Sequence, residues 1–229
     1  MTVRTYLYTL TLVLSLLACT GDNSSNPDGH VYLRTLLWTN SYGTSLDISW
    51  LYLGDDGTLV RNPTGGVNPV DVAWERQHNA ANTGTYTLED NRMLITWANG
   101  QTVTWNVEYE GGDLSAVDGG LVTEPDALPD DYRLDGQYAT SAVLPDVSGS
   151  QTLIFRPDGT FERSTLGTVH AGIASGQSAS EAQGTYLISG NTLTLTMANG
   201  DVKKSIICTM AIYKDPSLVI NSSHYPRER

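Results

Sequence analysis

The chain has 229 residues, 40% of them hydrophobic, with 25 acidic and 13 basic side chains for a formal net charge of −12. That balance excludes nucleic acid as a partner, because phosphate binding needs clustered Lys and Arg. Two cysteines exclude a disulfide scaffold and a Cys-rich zinc site, and 22 Gly with 9 Pro exclude collagen-like or low-complexity sequence.

Residues 1–18 read as a signal peptide. Arg4 gives a positive start, and Tyr6–Leu17 is an apolar run interrupted by Thr9, Thr11 and Ser15. It is shorter than the ~20 residues a spanning helix needs and has the length of a signal-peptide core. Residues 19–28, from Cys19 to Asp28, are polar and without apolar period, as in a flexible tether.

The rest of the chain repeats itself. Gly84–Gly100 aligns without a gap on Gly184–Gly200, with eight of 17 positions identical. Upstream, Leu53–Arg61 matches Phe155–Arg163 through a shared Asp-Gly-Thr, and Asp28-Gly29 before Tyr32 resembles Asp135-Gly136 before Tyr138. The repeats span 29–123 and 135–229, joined by an acidic linker, 124–134, whose Glu124, Asp126, Asp130 and Asp131, with Asp135 beside them, are expected to face solvent.

Each repeat reads as antiparallel strands. Met93, Ile95 and Trp97 alternate with Leu94, Thr96 and Ala98, and Leu193, Leu195 and Met197 do the same, the period-2 pattern of strands. Asp56-Gly57, Asp158-Gly159, Asn99-Gly100 and Asn199-Gly200 are hairpin turns. After the Asn-Gly turns, Val103, Trp105, Val107 and Tyr109 align with Ile206, Cys208, Met210 and Ile212 at an offset of 101 rather than 100, which predicts a one-residue bulge or longer turn in the second repeat. Pro69–Asn79 is predicted to form about two helical turns. Ala171–Gln183, in the corresponding place, is predicted to be a longer loop or short helix. The expected fold is therefore all-β: two tandem antiparallel meander β-barrels, closed because closure removes exposed edges, or one large barrel shared by both repeats.

Two resemblances add to this. Leu16-Leu17-Ala18-Cys19 resembles the lipobox of bacterial lipoproteins, which implies cleavage before Cys19 and lipid on its thiol and new amine. Several acyl chains hold a protein firmly to a membrane. Thr20, which is not Asp, then favours the outer membrane of the cell envelope. Gly136-Gln137-Tyr138, Phe155–Phe161, Gly184–Tyr186, Gly190–Leu195 and Leu218–Arg227 together resemble bacterial lipocalin-like (calycin-type) lipoprotein domains. The first repeat departs from the pattern at Gly29-His30-Val31-Tyr32 and lacks the late Tyr and Arg. The resemblance implies that Arg227 closes the second barrel against Tyr138.

All five tryptophans, Trp38, Trp50, Trp74, Trp97 and Trp105, fall in the first repeat. Trp50, Trp97 and Trp105 are the candidates to line a cavity for a small apolar ligand; the favoured alternative is that the rings fill a solid core, as side chains commonly do in small barrels. Arg61 and Arg163 share a hairpin position and are expected to pair locally or cap a barrel end. Asp55, Asp56 and Asp158 precede turn glycines and lack a calcium-loop pattern. His30, His78, His170 and His224 show no metal-ligand spacing. Cys208 reads as a small core residue. Gly176–Ser180 misses the Gly-x-Ser-x-Gly elbow, so no catalytic residue, metal or cofactor is expected. The sequence points to a membrane-anchored, non-enzymatic envelope lipoprotein. Its partner would be a small apolar ligand or, with solid barrels, an envelope protein.

Overall fold

A computed structural model of the chain describes residues 28–40, 43–144, 147–171, 174–210 and 216–228. The signal segment, Cys19 and nearly all of the tether lie outside these residues. The first repeat forms Gly29–Asn40 (β1), Gly43–Gly54 (β2), Thr58–Arg61 (β3), Thr83–Glu89 (β4), Arg92–Trp97 (β5), Thr102–Glu110 (β6), Asp113–Val117 (β7) and Gly120–Thr123 (β8). These pair in chain order, and β1 returns to β8 through Leu33–Thr123, Arg34–Val122 and Thr35–Leu121, which closes the barrel.

The second repeat forms Gly136–Leu144 (β9), Val147–Phe155 (β10), Thr160–Ala171 (β11), Ala174–Ser189 (β12), Thr192–Met197 (β13), Val202–Met210 (β14), Ser217–Ile220 (β15) and Ser223–Tyr225 (β16). They make an eight-stranded antiparallel sheet, again in chain order. It comes round to its own start: Tyr138 bridges Arg227, Ala139 N–H donates to the Pro226 carbonyl (3.1 Å), and Glu228 N–H donates to that of Gln137 (2.8 Å). Each repeat thus completes its own sheet, and no large barrel is shared between them.

The turns carry the repetition down to single hydrogen bonds. Asp56 Oδ1 accepts from Thr58 N–H (2.8 Å) and Asp158 Oδ1 from Thr160 N–H (2.9 Å), each acid holding the turn that its left-handed glycine, Gly57 or Gly159, completes. The Thr160 hydroxyl and amide hold the Asp158 carboxyl below its ordinary range. Tyr86 N–H donates to the Gly57 carbonyl and Tyr186 N–H to that of Gly159. At the Asn-Gly turns, Ala98 N–H meets Thr83 O and Ala198 N–H meets Gln183 O, both at 2.9 Å.

Two expectations are corrected. The predicted bulge is not there: Met93 faces Trp105 and Leu193 faces Ser205, so the pairing keeps an offset of 100. Ile207, not Ile206 or Cys208, is the counterpart of Val107, and both donate from N–H to an Asn carbonyl, Asn91 for Val107 and Asn191 for Ile207. Ala171 and Ala174–Gln183, the described part of that stretch, are neither loop nor helix but strand, β11 and β12 pairing from Thr160–Thr185 to Ala171–Ala174. The first repeat does form its helix, Val72–His78 (α1), where Asp71 Oδ1 caps the Trp74 N–H at 2.9 Å. A single helical turn, Ala80–Asn82, follows.

Candidate functional site

The first barrel is filled by its own side chains. Leu51, Leu59, Met93, Ile95 and Val117 are shielded completely from solvent in one cluster, joined by Leu53, Val107 and Val122. Trp97 and Trp105, two of the three cavity candidates, pack on this cluster edge to face, ring centroids 6.0 Å apart, the geometry aromatic pairs prefer. Tyr32 and Tyr86 pack on it too, and the Tyr86 hydroxyl donates to the Gly54 carbonyl (3.1 Å). Burial, with nearby acids, raises the pKa of both phenols and keeps them protonated.

Trp50, the third candidate, is elsewhere. Leu51 and Leu53 point into the barrel, so the alternation along β2 sends Ile48 and Trp50 to the outer face. There Trp50, fully buried, joins Leu33 and Ile48 against Ile206, Cys208 and Val219 of the second repeat. Its indole N–H donates to the Asn221 carbonyl at 2.7 Å. The expectation that Trp50 lines a first-barrel cavity is thereby corrected: it is the centre of a seam between the repeats.

The seam has a second contact. Thr192 Oγ1 accepts from Val67 N–H (2.8 Å) and Asn68 N–H (3.1 Å). Gly66 lies so close that a Cβ there would stand 2.6 Å from Thr192 Cγ2. The loop presenting these amides is held from within by Glu75 of α1. Its carboxylate is wholly buried, with Oε1 accepting from Thr64 N–H and Gly65 N–H, both at 2.6 Å, and Oε2 from Asn79 Nδ2 at 2.8 Å. Glu75 was invisible to pattern reading, since an acid inside a short amphipathic helix ordinarily faces water. Arg34 was missed as well. It is buried in the first barrel, donating to the Val117 (2.8 Å) and Asp118 (2.9 Å) carbonyls and lying 3.6 Å from Asp47.

The second barrel is also filled, around Phe155, Phe161, Ile188, Leu193, Ile207 and Leu218. The linker docks on it: Leu134 joins that core, Leu134 N–H donates to the Tyr186 hydroxyl (2.8 Å), and the linker acids stay exposed. Arg227 lies over Gly136, beside Tyr138, and donates to the Asp135 carbonyl (2.7 Å). A polar groove of about 1030 Å³ runs along β10, β11, β12 and the β13–β14 turn, with Arg163, Glu162, Glu181, Asp201 and Lys203 on its walls. Arg61 is half-buried beside the α1 loop, and its carbonyl accepts from Asn79 Nδ2 (3.4 Å).

The histidines are dispersed. His30 faces Glu124 at 3.2 Å, His78 stacks on Trp74 (centroids 3.6 Å), and burial lowers the pKa of His224. The side chain of His170 lies outside the described residues. Among the described residues no group of three or more His, Cys, Asp or Glu converges, and no helix is long and apolar enough to cross a membrane.

Cys208 sits in the seam, and burial pushes its thiol from an ordinary 9.0 up to about 12. Folding therefore keeps the thiol protonated. Its contribution to stability is complete below pH 9 and is lost as pH rises from there to 12. The denaturation midpoint is expected to fall across this window, less steeply in Cys208→Ala, and iodoacetamide at pH 8 is expected to label the thiol only after unfolding. Rapid labelling of the native chain would contradict its burial.

A comparison of the chain with family models, curated proteins and solved structures found no match.

Proposed function

We propose that the protein is a lipid-anchored, non-enzymatic lipoprotein of the bacterial envelope, whose two lipocalin-like barrels are solid and act through their outer surfaces on envelope proteins. The observation that supports it best is the first-barrel interior. Leu51, Leu59, Met93, Ile95 and Val117 exclude solvent from one another completely, with Trp97 and Trp105 packed on them. A ligand carrier of this architecture needs a cavity of at least ~300 Å³ inside the barrel, and the burial of these converging side chains favours the solid reading over a carrier. The outer surface, by contrast, already makes a tight contact, the seam at Trp50. Anchoring rests on Leu16-Leu17-Ala18-Cys19.

Native mass spectrometry of the detergent-released protein tests the filled barrels. The expected mass is that of the acylated chain alone; a stoichiometric co-purifying lipid would restore the ligand-binding reading. Cell fractionation tests the anchor: Cys19→Ala is expected to leave the membrane fraction, and a variant that stays there would remove the lipoprotein assignment.

A further inference from the structure

The seam between the repeats contains a base without a partner. His224 on β16 lies opposite Val219 of β15, and Val219 lies opposite Cys208 of β14. Residues opposite one another in antiparallel strands share a face. The three side chains therefore form a row on the face that meets Leu33, Ile48 and Trp50 of the first repeat. His224 Nε2 is buried and has no hydrogen-bond partner among the described residues, whereas a buried polar atom ordinarily has one.

These surroundings penalise one protonation state only. Val219 of β15 and Ala139 of β9 flank the ring's face and are uncharged, as are Leu33, Ile48 and Trp50 across the seam. Cys208 is the one other titratable group in the row, and burial keeps its thiol protonated. Arg34 and Asp47 lie on the opposite, inward face of the β1–β2 ribbon. Along the chain from His224, Tyr225 and Arg227 alternate to the inner face, and Glu228 accepts from Gln137 Nε2. A neutral imidazole can turn a lone pair into such a site, but an imidazolium must bury a charged N–H with no acceptor. Burial alone accordingly lowers the pKa of His224 below its ordinary 6.5.

We propose that the seam is a proton-operated joint: protonation of His224 in mildly acidic surroundings parts the two barrels and uncovers the face of Leu33, Ile48 and Trp50, while each barrel stays folded. Each sheet closes on itself and has its own core, so the joint can open without unpairing a strand. The described hydrogen bonds across the seam, from Trp50 to Asn221 and from Val67 and Asn68 to Thr192 and Ser189, all join neutral groups, so acid changes none of them directly. In the open joint His224 regains its ordinary pKa. Opening therefore takes up a proton below pH 6.5 and none above it. The closed joint is fully favoured above 6.5 and loses up to about tenfold per pH unit below, until the closed form binds the proton too. The joint works alike whether the barrels are solid or hollow, and whether the chain is anchored or free.

Cys208 reports on the joint because it is buried there. 2,2′-Dithiodipyridine traps exposed thiols in acid as well as at neutral pH, and the mass of the Cys208 peptide reads the trapping. In the full chain, trapping is expected to be slow and level from pH 7.5 to 6.5, then to accelerate by about threefold to thirtyfold at pH 5.0, with far-ultraviolet circular dichroism unchanged. His224→Phe keeps a ring that cannot take up a proton, and is expected to stay slow throughout. His78→Gln, on α1 outside the seam, is expected to accelerate like the wild type. Should His224→Phe misfold, His224→Gln replaces it, and the nuclear magnetic resonance titration of His224 in the wild-type chain is expected to show a midpoint below 6.5. A wild-type rate that is level down to pH 5.0, an equal acceleration in His224→Phe or His224→Gln, loss of strand signal in step with trapping, or a His224 midpoint at or above 6.5 would overturn the proposal.

Discussion

Trp50→Ala is expected to lower the unfolding free energy by about 3–5 kcal/mol, the range for emptying a buried tryptophan site. The indole is the largest fully buried side chain among the described residues and lies between Ile48 and Leu33 on one side and Ile206, Cys208 and Val219 on the other. Two barrels meeting through their outer faces have no way to collapse onto that volume without sliding against the Thr192 contact. The seam is therefore expected to loosen as a unit, and Cys208 should become open to alkylation. Trp50→Phe separates packing from hydrogen bonding. It keeps most of the ring and loses the N–H that reaches Asn221 O, for an expected loss of roughly 1 kcal/mol, that of one part-buried hydrogen bond. Denaturant midpoints at constant slope measure both. An unchanged midpoint in Trp50→Ala would mean that the indole does not join the repeats.

Glu75→Ala is expected to cost about 3–5 kcal/mol, from three donors left without their acceptor at roughly 1–3 kcal/mol each, part of it recovered by water at the exposed Thr64. The substitution strands the amides of Thr64 and Gly65 and the side chain of Asn79, all of which donate to one carboxylate. Its effect should spread, because the loop that Glu75 clamps continues directly into Gly66, Val67 and Asn68, whose contacts with Thr192 hold the second barrel. Glu75→Gln keeps the shape and one acceptor oxygen but loses the charge and turns an NH2 toward the Asn79 donor, so an intermediate loss is expected. For a chain of this size each kcal/mol moves the melting temperature by roughly 2–4 °C, and Glu75→Ala should melt roughly 10 °C lower. A Glu75→Ala chain with wild-type melting would show that the loop finds its partners elsewhere, in water.

Much of the architecture was legible in residues alone. The Asp-Gly-Thr and Asn-Gly turns at Asp56, Asp158, Asn99 and Asn199 are local chemistry: a side-chain oxygen takes the amide two residues on, and glycine takes the left-handed position. Alternation at Met93, Ile95 and Trp97 needed only the two-residue period of a strand. From these the meander, its doubling and the break between repeats follow.

Where reading failed, the missing information was long-range. Ile206 and Cys208 look like an inward set because alternation shows that a strand has an apolar face and does not tell which neighbour covers it. In β14 both faces are apolar, Ile207 toward the barrel and Ile206 with Cys208 toward the other repeat. The false bulge came from that ambiguity, and so did the placement of Trp50 in a cavity. Ala174–Gln183, poor in strand-forming residues, is strand because β11 pairs with it along its length, and cross-strand pairing outweighs weak intrinsic preference.

By itself, then, the sequence determined what depends on neighbours along the chain: an all-β chain, two tandem units and the turns that set their hairpins. Tertiary structure alone decided which apolar face looks inward, that Glu75 is a buried clamp, that Trp97 and Trp105 pack on the first-barrel core while Trp50 lies in the seam, and that Leu37 is exposed. The division is physical. Turn and strand preferences act over two to four residues, whereas burial is a relation between surfaces that the chain brings together from a hundred or more residues apart.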